Sequence, residues 1–589
     1  MVAPFKTILP HLCFQSYLTK MVTVISRIGQ LYRCTRGVPF KQLARRGWLN
    51  AKRRANVSPF GKLFQQRIVS PTRVQASLRQ RLIPPRKDLV RQDGCNWRLT
   101  QLSAQFSLQA PVDWRLVHSP GHTHLQRLSL HYHEFMDALP FSVAREILLD
   151  WIKQNPKRSP GYWLDNWNCY AISIRCVCWM HWLEKNKTEL CTDDQTIILT
   201  SLADQVNFLT RNLETDICGN HLIKNIRCLL WGATFFEGLD SAKWRKLGER
   251  YLWQQLPIQI LPDGMHFELS PAYHCQVFID LLECVTLIDD DSQKRLIGEL
   301  APMAAAISDL THPDGFISLF SDGGLNMVYS PEECLDAWER VTGQQMEPKS
   351  AILLANSGYY GVRFGNTYFL ADAGPICADA LPAHGHADQL SFEWSVAGRR
   401  LVVDAGAGEY ESGERRNWGR SSAAHNTVTV DNRDQAELIG SFRIGRRSTV
   451  RVDEYNCEDN RFHLKAICKH QNRAGCVTHQ RIFQVLADSV MIHDQVDGTI
   501  AGDAISRVLL HHECQVEQLT SNRVLITLCG LKVEVIASCE VRRRQVDWSP
   551  DFGVWIKTTQ LEFRMGQLPC KADYEMRLLA QGIMCEFTN

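Results

Sequence analysis

Between about residues 142 and 342 the apolar side chains return every three or four positions, as in Ala144, Ile147, Leu148 and Trp151, or Leu222, Ile223, Ile226, Leu229, Leu230 and Ala233. On a helix of 3.6 residues per turn that spacing gathers them on one face. Further helices are predicted at about 166–185, 195–213, 241–256, 271–289, 293–308 and 331–342, separated by short polar loops that suit antiparallel hairpins. After Lys349 the pattern shortens and alternates. Runs at 358–364 and 367–370 flank Gly365-Asn366, a strong hairpin signal, and similar runs follow at 390–396, 400–404, 426–430, 462–469 and 523–536. This is the rhythm of an antiparallel β-sandwich. The chain therefore reads as α+β and multidomain, helices first and sheets second, without a fixed-period repeat or low-complexity tract.

A length of 589 residues and an apolar content of 45% fit a folded protein of at least two domains. No window approaches eighteen uninterrupted apolar residues, so no membrane-spanning helix is expected. The net charge of +3 hides an asymmetry: the segment before Asp88 holds 18 Lys and Arg and no acid, leaving 48 basic side chains against all 63 acidic ones in the remainder. Such an arm suits a polyanion, or equally a basic face packed on an acidic body. Nucleic acid is not the expected partner. The 21 cysteines include no Cys-x-x-Cys pair, and those in helical patterns (Cys169, Cys176, Cys228, Cys284) read as buried free thiols. Lys6 and the short apolar run Thr7 to Phe14 lack a small-residue cleavage site, so a cleaved secretory signal is not predicted.

Two histidine-bearing stretches carry the chemistry. In the first, Gly219-Asn220-His221 reads as a helix end followed by a capped helix start. Ser270-Pro271-Ala272-Tyr273-His274 repeats the device, with Ser270 as N-cap and Pro271 at the first helical position. Asn220, His221 and Tyr273 thus fall at helix N-termini, whose partial positive charge attracts anions and favours a phenolate. Nearby Trp163, Trp167, Trp179, Trp182, Trp231 and Trp253 are either sugar-stacking or core. In the second stretch, alternation in an extended chain points His384, His386 and Asp388 one way, and Asp404 returns toward them. His386, Asp404 and His425 can supply three ligands to zinc, leaving His384 for catalysis, although satisfied core histidines fit the spacing too. Arg415, Arg416, Arg420 and Arg443 suit carboxylate or sulfate, or are plain surface charges.

In combination and order, the segments Trp163 to Trp182, Gly219 to Asn225, Leu261 to His274, His384 to Asp388 and Ala424 to Val428 resemble the heparinase II/III family of polysaccharide lyases, which includes heparan sulfate and alginate lyases. The resemblance implies an incomplete α/α toroid, taken over 101–345, and an antiparallel β-sandwich, taken over 346–589; the basic arm over 1–100 is read from its charge alone. An acidic, uronate-containing polysaccharide would lie between the two domains and be cleaved by β-elimination. By the same resemblance Asn220 and His221 bind the uronate carboxylate, Tyr273 is acid or base, and His384 assists. His386, Asp404 and His425 match a zinc site of some members, structural in role. Lys224 departs from the pattern, standing where relatives commonly place Glu, which bears on the acidic sugar accepted. Two other readings stay open: a non-catalytic acidic-polysaccharide-binding protein of exopolysaccharide assembly or export, and a zinc hydrolase.

Overall fold

The computed structural model describes residues 29–58, 72–73, 78–84, 86, 88–94, 96–116, 121–157, 159–472 and 474–579. The run Thr7 to Phe14 lies outside them. Its helices are α1 (Phe40–Val57), α2 (His124–Leu130), α3 (Phe141–Gln154), α4 (Cys169–Lys185), α5 (Thr192–Asn212), α6 (Gly219–Phe235), α7 (Leu239–Gln259), α8 (Pro271–Val285), α9 (Asp290–Leu310), α10 (Pro331–Thr342) and α11 (Glu414–Arg420). The helical N-terminal part and the antiparallel C-terminal sheets are those the periodicity indicates. The segment read as a plain arm contains more: α1, and a three-stranded sheet of Val90–Asp93, Asn96–Gln101 and Ala104–Ser107.

Burial divides the helices into two kinds. α4, α6 and α8 are buried on nearly every face, whereas α5 and α7 bury one stripe, such as Trp244, Gly248, Leu252 and Leu256 of α7. A helix apolar all round belongs inside. α6 packs against both α4 and α8, and as alternate members of an up-and-down series the three run the same way. Their three N-termini therefore open at one end.

At that end stand the sheets. A five-stranded sheet has the order 399–402, 392–396, 367–372, 359–364, 351–354 and is antiparallel throughout. Residues 367–372 and 392–396 are buried on both faces, which is why they read as continuous rather than alternating apolar runs. One face, with Tyr359, Tyr368 and Leu370, joins the helical core. The other, with Val362, Phe369 and Trp394, joins the core of an eight-stranded antiparallel sheet built from residues 449–578. A four-stranded sheet of 428–430, 503–509, 556–567 and 540–548 completes this part. The segment containing α1 lies across both parts. Arg33 forms a fork with Glu437 at 2.7 and 2.6 Å, while Arg46 donates to the Asp216 carbonyl at 3.0 Å and Lys52 to Asn212 Oδ1 at 2.9 Å. In this segment the basic face is thus packed on its acidic neighbours.

Candidate active site

Capping chemistry sets the helix side. Ser270 Oγ accepts from Tyr273 N–H at 3.2 Å, with Pro271 in the first turn, as the sequence predicts. The same hydroxyl donates to the Asp322 carbonyl at 2.6 Å, and Asp322 N–H donates to the His384 carbonyl at 3.0 Å. This short chain ties the start of α8 to the sheet side. Asn220 departs from its predicted capping role. α6 begins one residue earlier, at Gly219, and Asn220 N–H is capped from outside by Glu268 Oε1 at 2.7 Å. Gly219 has φ +58°, and a Cβ there would collide with the Glu268 carboxylate and Leu381, so the close approach needs glycine.

Glu268, inside the segment Leu261 to His274, is the hub, and nothing in its sequence spacing marks it as one. Both its oxygens accept from Asn220 Nδ2 at 3.1 Å, and Oε2 accepts from His384 Nε2 at 2.9 Å. Burial opposes its charge, but the His384 imidazolium outweighs that and holds the carboxyl down to about 2. The other nitrogen of His384 donates to Asp322 Oδ2 at 3.0 Å, and burial is again overcome, by Glu268 and Asp322, which raise His384 to about 9. Asp322 in turn accepts from Arg416 Nη2 at 2.9 Å and from His386 Nε2 at 2.9 Å. The result is a buried line of alternating charge, Glu268, His384, Asp322, Arg416.

Tyr273 lies on this line. Its ring stacks on the His384 imidazole with centroids 3.9 Å apart, and its hydroxyl shares a hydrogen bond with Tyr410 at 2.9 Å. Burial pushes the phenol above its ordinary value, against the pull of the Tyr410 hydrogen bond. The lowered phenol expected from the helix start is therefore not found, and the resting group is protonated. His221 donates from Nδ1 to Glu214 at 3.0 Å, which leaves Nε2 for the cleft; burial lowers the ring's affinity for protons and Glu214 more than restores it. Asn220, His221, Tyr273 and His384 all line one cleft of about 1080 Å³, with Tyr170 and Tyr410.

Other candidates sort differently. None of the six tryptophans lines the cleft; Trp167, Trp179, Trp182 and Trp231 are core. Of the four arginines only Arg443 lines it. Arg416 is spent on Asp322, Arg420 on the Gly385 and Gly440 carbonyls, and Arg415 lies over Trp555. Lys224 is paired with Asp280 at 2.8 Å, so the charge it reverses in sequence is neutralised in space.

Behind His384, three buried atoms lack a hydrogen-bond partner among the described residues: His386 Nδ1, Asp388 Oδ2 and His425 Nε2. One ligand atom from each residue lies within 4.8 Å of the others. Two imidazoles and a carboxylate with unpartnered atoms this close together fit a divalent metal ion. Asp404, predicted in this set, stands one layer out: both its oxygens accept from His425 Nδ1 at 3.0 Å, and Ser391 donates to it at 3.1 Å. Asp388 takes its place in the cluster.

Two family descriptions match the chain: "Heparinase II/III N-terminus" over residues 122–341 and "Heparinase II/III-like, C-terminal" over residues 346–572. A heparin-sulfate lyase of Bacteroides stercoris is 25% identical over 395 residues, covering 57% of this chain and 58% of the relative. The FtsZ-localized protein C of Caulobacter vibrioides is 24% identical over 295 residues, 47% of this chain and 48% of that protein. The chain thus spans about half the length of these curated relatives. The crystal structure of heparinase III superposes with a TM-score of 0.68 at 18% identity, covering 80% of each chain, a likeness of fold.

Proposed function

The chain belongs to the heparinase II/III family, and on that premise we propose that it is a lyase cleaving a 1,4-linked, uronate-containing polysaccharide by β-elimination. In this reading the helical part is an incomplete α/α toroid and the C-terminal sheets form a β-sandwich. The observation that carries the reading is the stacking of Tyr273 on His384 at the helix starts that present Asn220 and His221. A C5 proton beside an ionised carboxylate is very weakly acidic, and its removal loads that carboxylate with charge. The Asn220 amide, His221 and the positive ends of α6 and α8 are set to receive it, and fixed donors of this kind contribute roughly 3–4 kcal/mol each.

Tyr273 then carries the proton from C5 to the bridging oxygen, leaving a 4,5-unsaturated end without consuming water. To take the C5 proton it must first be phenolate. The imidazolium beneath its ring and the Tyr410 hydroxyl stabilise that form, while burial holds it scarce at rest. His384 has both nitrogens on carboxylates, so in this geometry it assists as a fixed cation and not as a base. His386, Asp388 and His425 would hold a zinc ion, with Asp404 orienting His425. When bound, the ion would brace the sheet side of the site and supply no chemistry of its own.

The test is a panel digest of heparan sulfate, heparin, alginate, polyglucuronate and bacterial exopolysaccharides, read at the absorbance of the unsaturated uronate. Product from at least one polymer is expected. Binding across the panel with no absorbance from any polymer would replace the lyase by the polysaccharide-binding reading.

A further inference from the structure

The buried line of charge beside Tyr273 balances: two carboxylates, Glu268 and Asp322, face two cations, His384 and Arg416. Its net charge therefore does not draw a polyanion. Three other cations along the cleft are matched as well. His221 holds Glu214 at 3.0 Å, Lys224 holds Asp280 at 2.8 Å, and Arg227 holds Glu283 at 2.5 Å. Arg443 differs. It lines the cleft, is exposed, and its guanidinium makes no hydrogen bond or ion pair among the described residues.

Arg443 opens the second strand of a short hairpin, 438–444, in which Leu438 pairs with Ile444 and Ile439 with Arg443 across the turn Gly440-Ser441-Phe442. The turn is fastened to the protein beneath it. Arg420 donates to the Gly440 carbonyl at 2.8 Å, and Arg416 donates to the Ser441 carbonyl at 3.1 and 2.9 Å. The hydroxyls of Ser412 and Ser441 share a further hydrogen bond at 2.8 Å. The guanidinium that holds Asp322 thus holds the turn too. At its end Phe442 lines the cleft and stays 43% exposed. Its ring meets that of Tyr410 edge-on with centroids 5.4 Å apart, and the Tyr410 hydroxyl is the one bonded to Tyr273. One ring contact and one hydrogen bond therefore separate Phe442 from the reacting hydroxyl, which puts the hairpin tip beside the sugar being cleaved. An exposed ring and a free guanidinium, adjacent on a fixed turn, supply two complementary contacts for an acidic sugar. The ring covers the apolar face of a pyranose, and the planar fork takes a carboxylate or a sulfate.

We infer that the tip of this hairpin is the subsite for the sugar next to the one cleaved, with Phe442 against its ring face and Arg443 on its anionic group, a ring carboxylate or a sulfate. Arg443 then governs which polymers are accepted, and neither side chain touches the reacting atoms. The inference deepens the lyase reading and rests on it for the product assay, though not for binding.

The full chain is assayed on the polymer of the panel that yields most unsaturated product. Arg443→Gln is expected to raise KM about tenfold, with kcat within about twofold of wild type and an unchanged melting temperature. Arg443→Lys, which keeps the charge and loses the fork, should recover part of that loss. Phe442→Ala should raise KM about threefold, and Phe442→Tyr should restore it. Where the polymer is sulfated, its desulfated form separates the two anions. A variant-to-wild-type KM ratio that falls toward one assigns Arg443 to sulfate, and a ratio that persists assigns it to the carboxylate. An unchanged KM in Arg443→Gln, or a fall in kcat alone, overturns the inference and leaves the lyase reading standing. Absence of unsaturated product from every polymer overturns the lyase reading instead. Calorimetry with hexasaccharides of heparin and of alginate then decides the hairpin. Weaker binding by Arg443→Gln supports it, whereas equal affinity in wild type and variant, or no binding by either, overturns it.

Discussion

The two banks of the cleft hold similar residue types and use them differently. On the helix bank Asn220, His221 and Tyr273 sit in the first turns of α6 and α8, and His221 keeps about a third of its side chain open to the cleft. On the sheet bank His384, His386 and Arg416 are committed to Asp322, and His425 to Asp404. From the first bank His221 and Tyr273 face the cleft while Glu268 holds the Asn220 amide; the second spends its groups on one another and fixes the charge against which the first works. A histidine's function therefore follows from what its nitrogens hold, and not from its nearness to the site.

The largest effect should come from the helix bank. Tyr273→Phe is expected to lower kcat by about 10²- to 10⁴-fold with little change in melting temperature, measured by unsaturated-product absorbance and calorimetry. The mirror experiment is Asp322→Asn, which strands Arg416 and His384 in the interior. It should cost about 3–5 kcal/mol of unfolding free energy in urea titration, and an unchanged midpoint would break the contrast between the banks. Asn220→Ala should reduce kcat/KM by about 10²- to 10³-fold while Glu268 stays buried. Because burial raises Tyr273, its phenolate fraction grows as pH rises, so kcat/KM should climb about tenfold per unit from mildly acidic pH until His384 begins to lose its proton near 9, and a flat profile would remove Tyr273 as the base. The smallest effect is expected from chelation of wild type, or from His425→Ala, each lowering the melting temperature by about 2–4 °C per kcal/mol of metal-site stability lost.

Much of the helix bank was legible because its causes are local. Ser270-Pro271 announces a helix start within two residues, and the 3.6-residue period needs no partner. The Asn220 cap failed since Glu268, 48 residues away, does the capping. The sheet bank was legible only as residue types. Asp322 lies in an unremarkable loop after α9, and Arg416 meets it across 94 residues, so no spacing rule joins them. The exchange of Asp388 for Asp404 has the same origin. Both carboxylates follow His386 at distances compatible with an extended chain, and only the hairpin's closure decides which reaches the orphaned nitrogens.

The α1 segment grips both sides of the opening. Arg33 takes hold of Glu437 beside the sheet loop 439–443, and Arg46 and Lys52 take hold of residues 212–216, just ahead of α6. These links are ionic or partly wet, with Arg33 and Glu437 19% and 25% exposed, so dissolved salt weakens them while leaving the sealed pairs beneath untouched. Added salt should therefore loosen the seat of this segment at Glu437 before it disturbs anything in the buried line of charge.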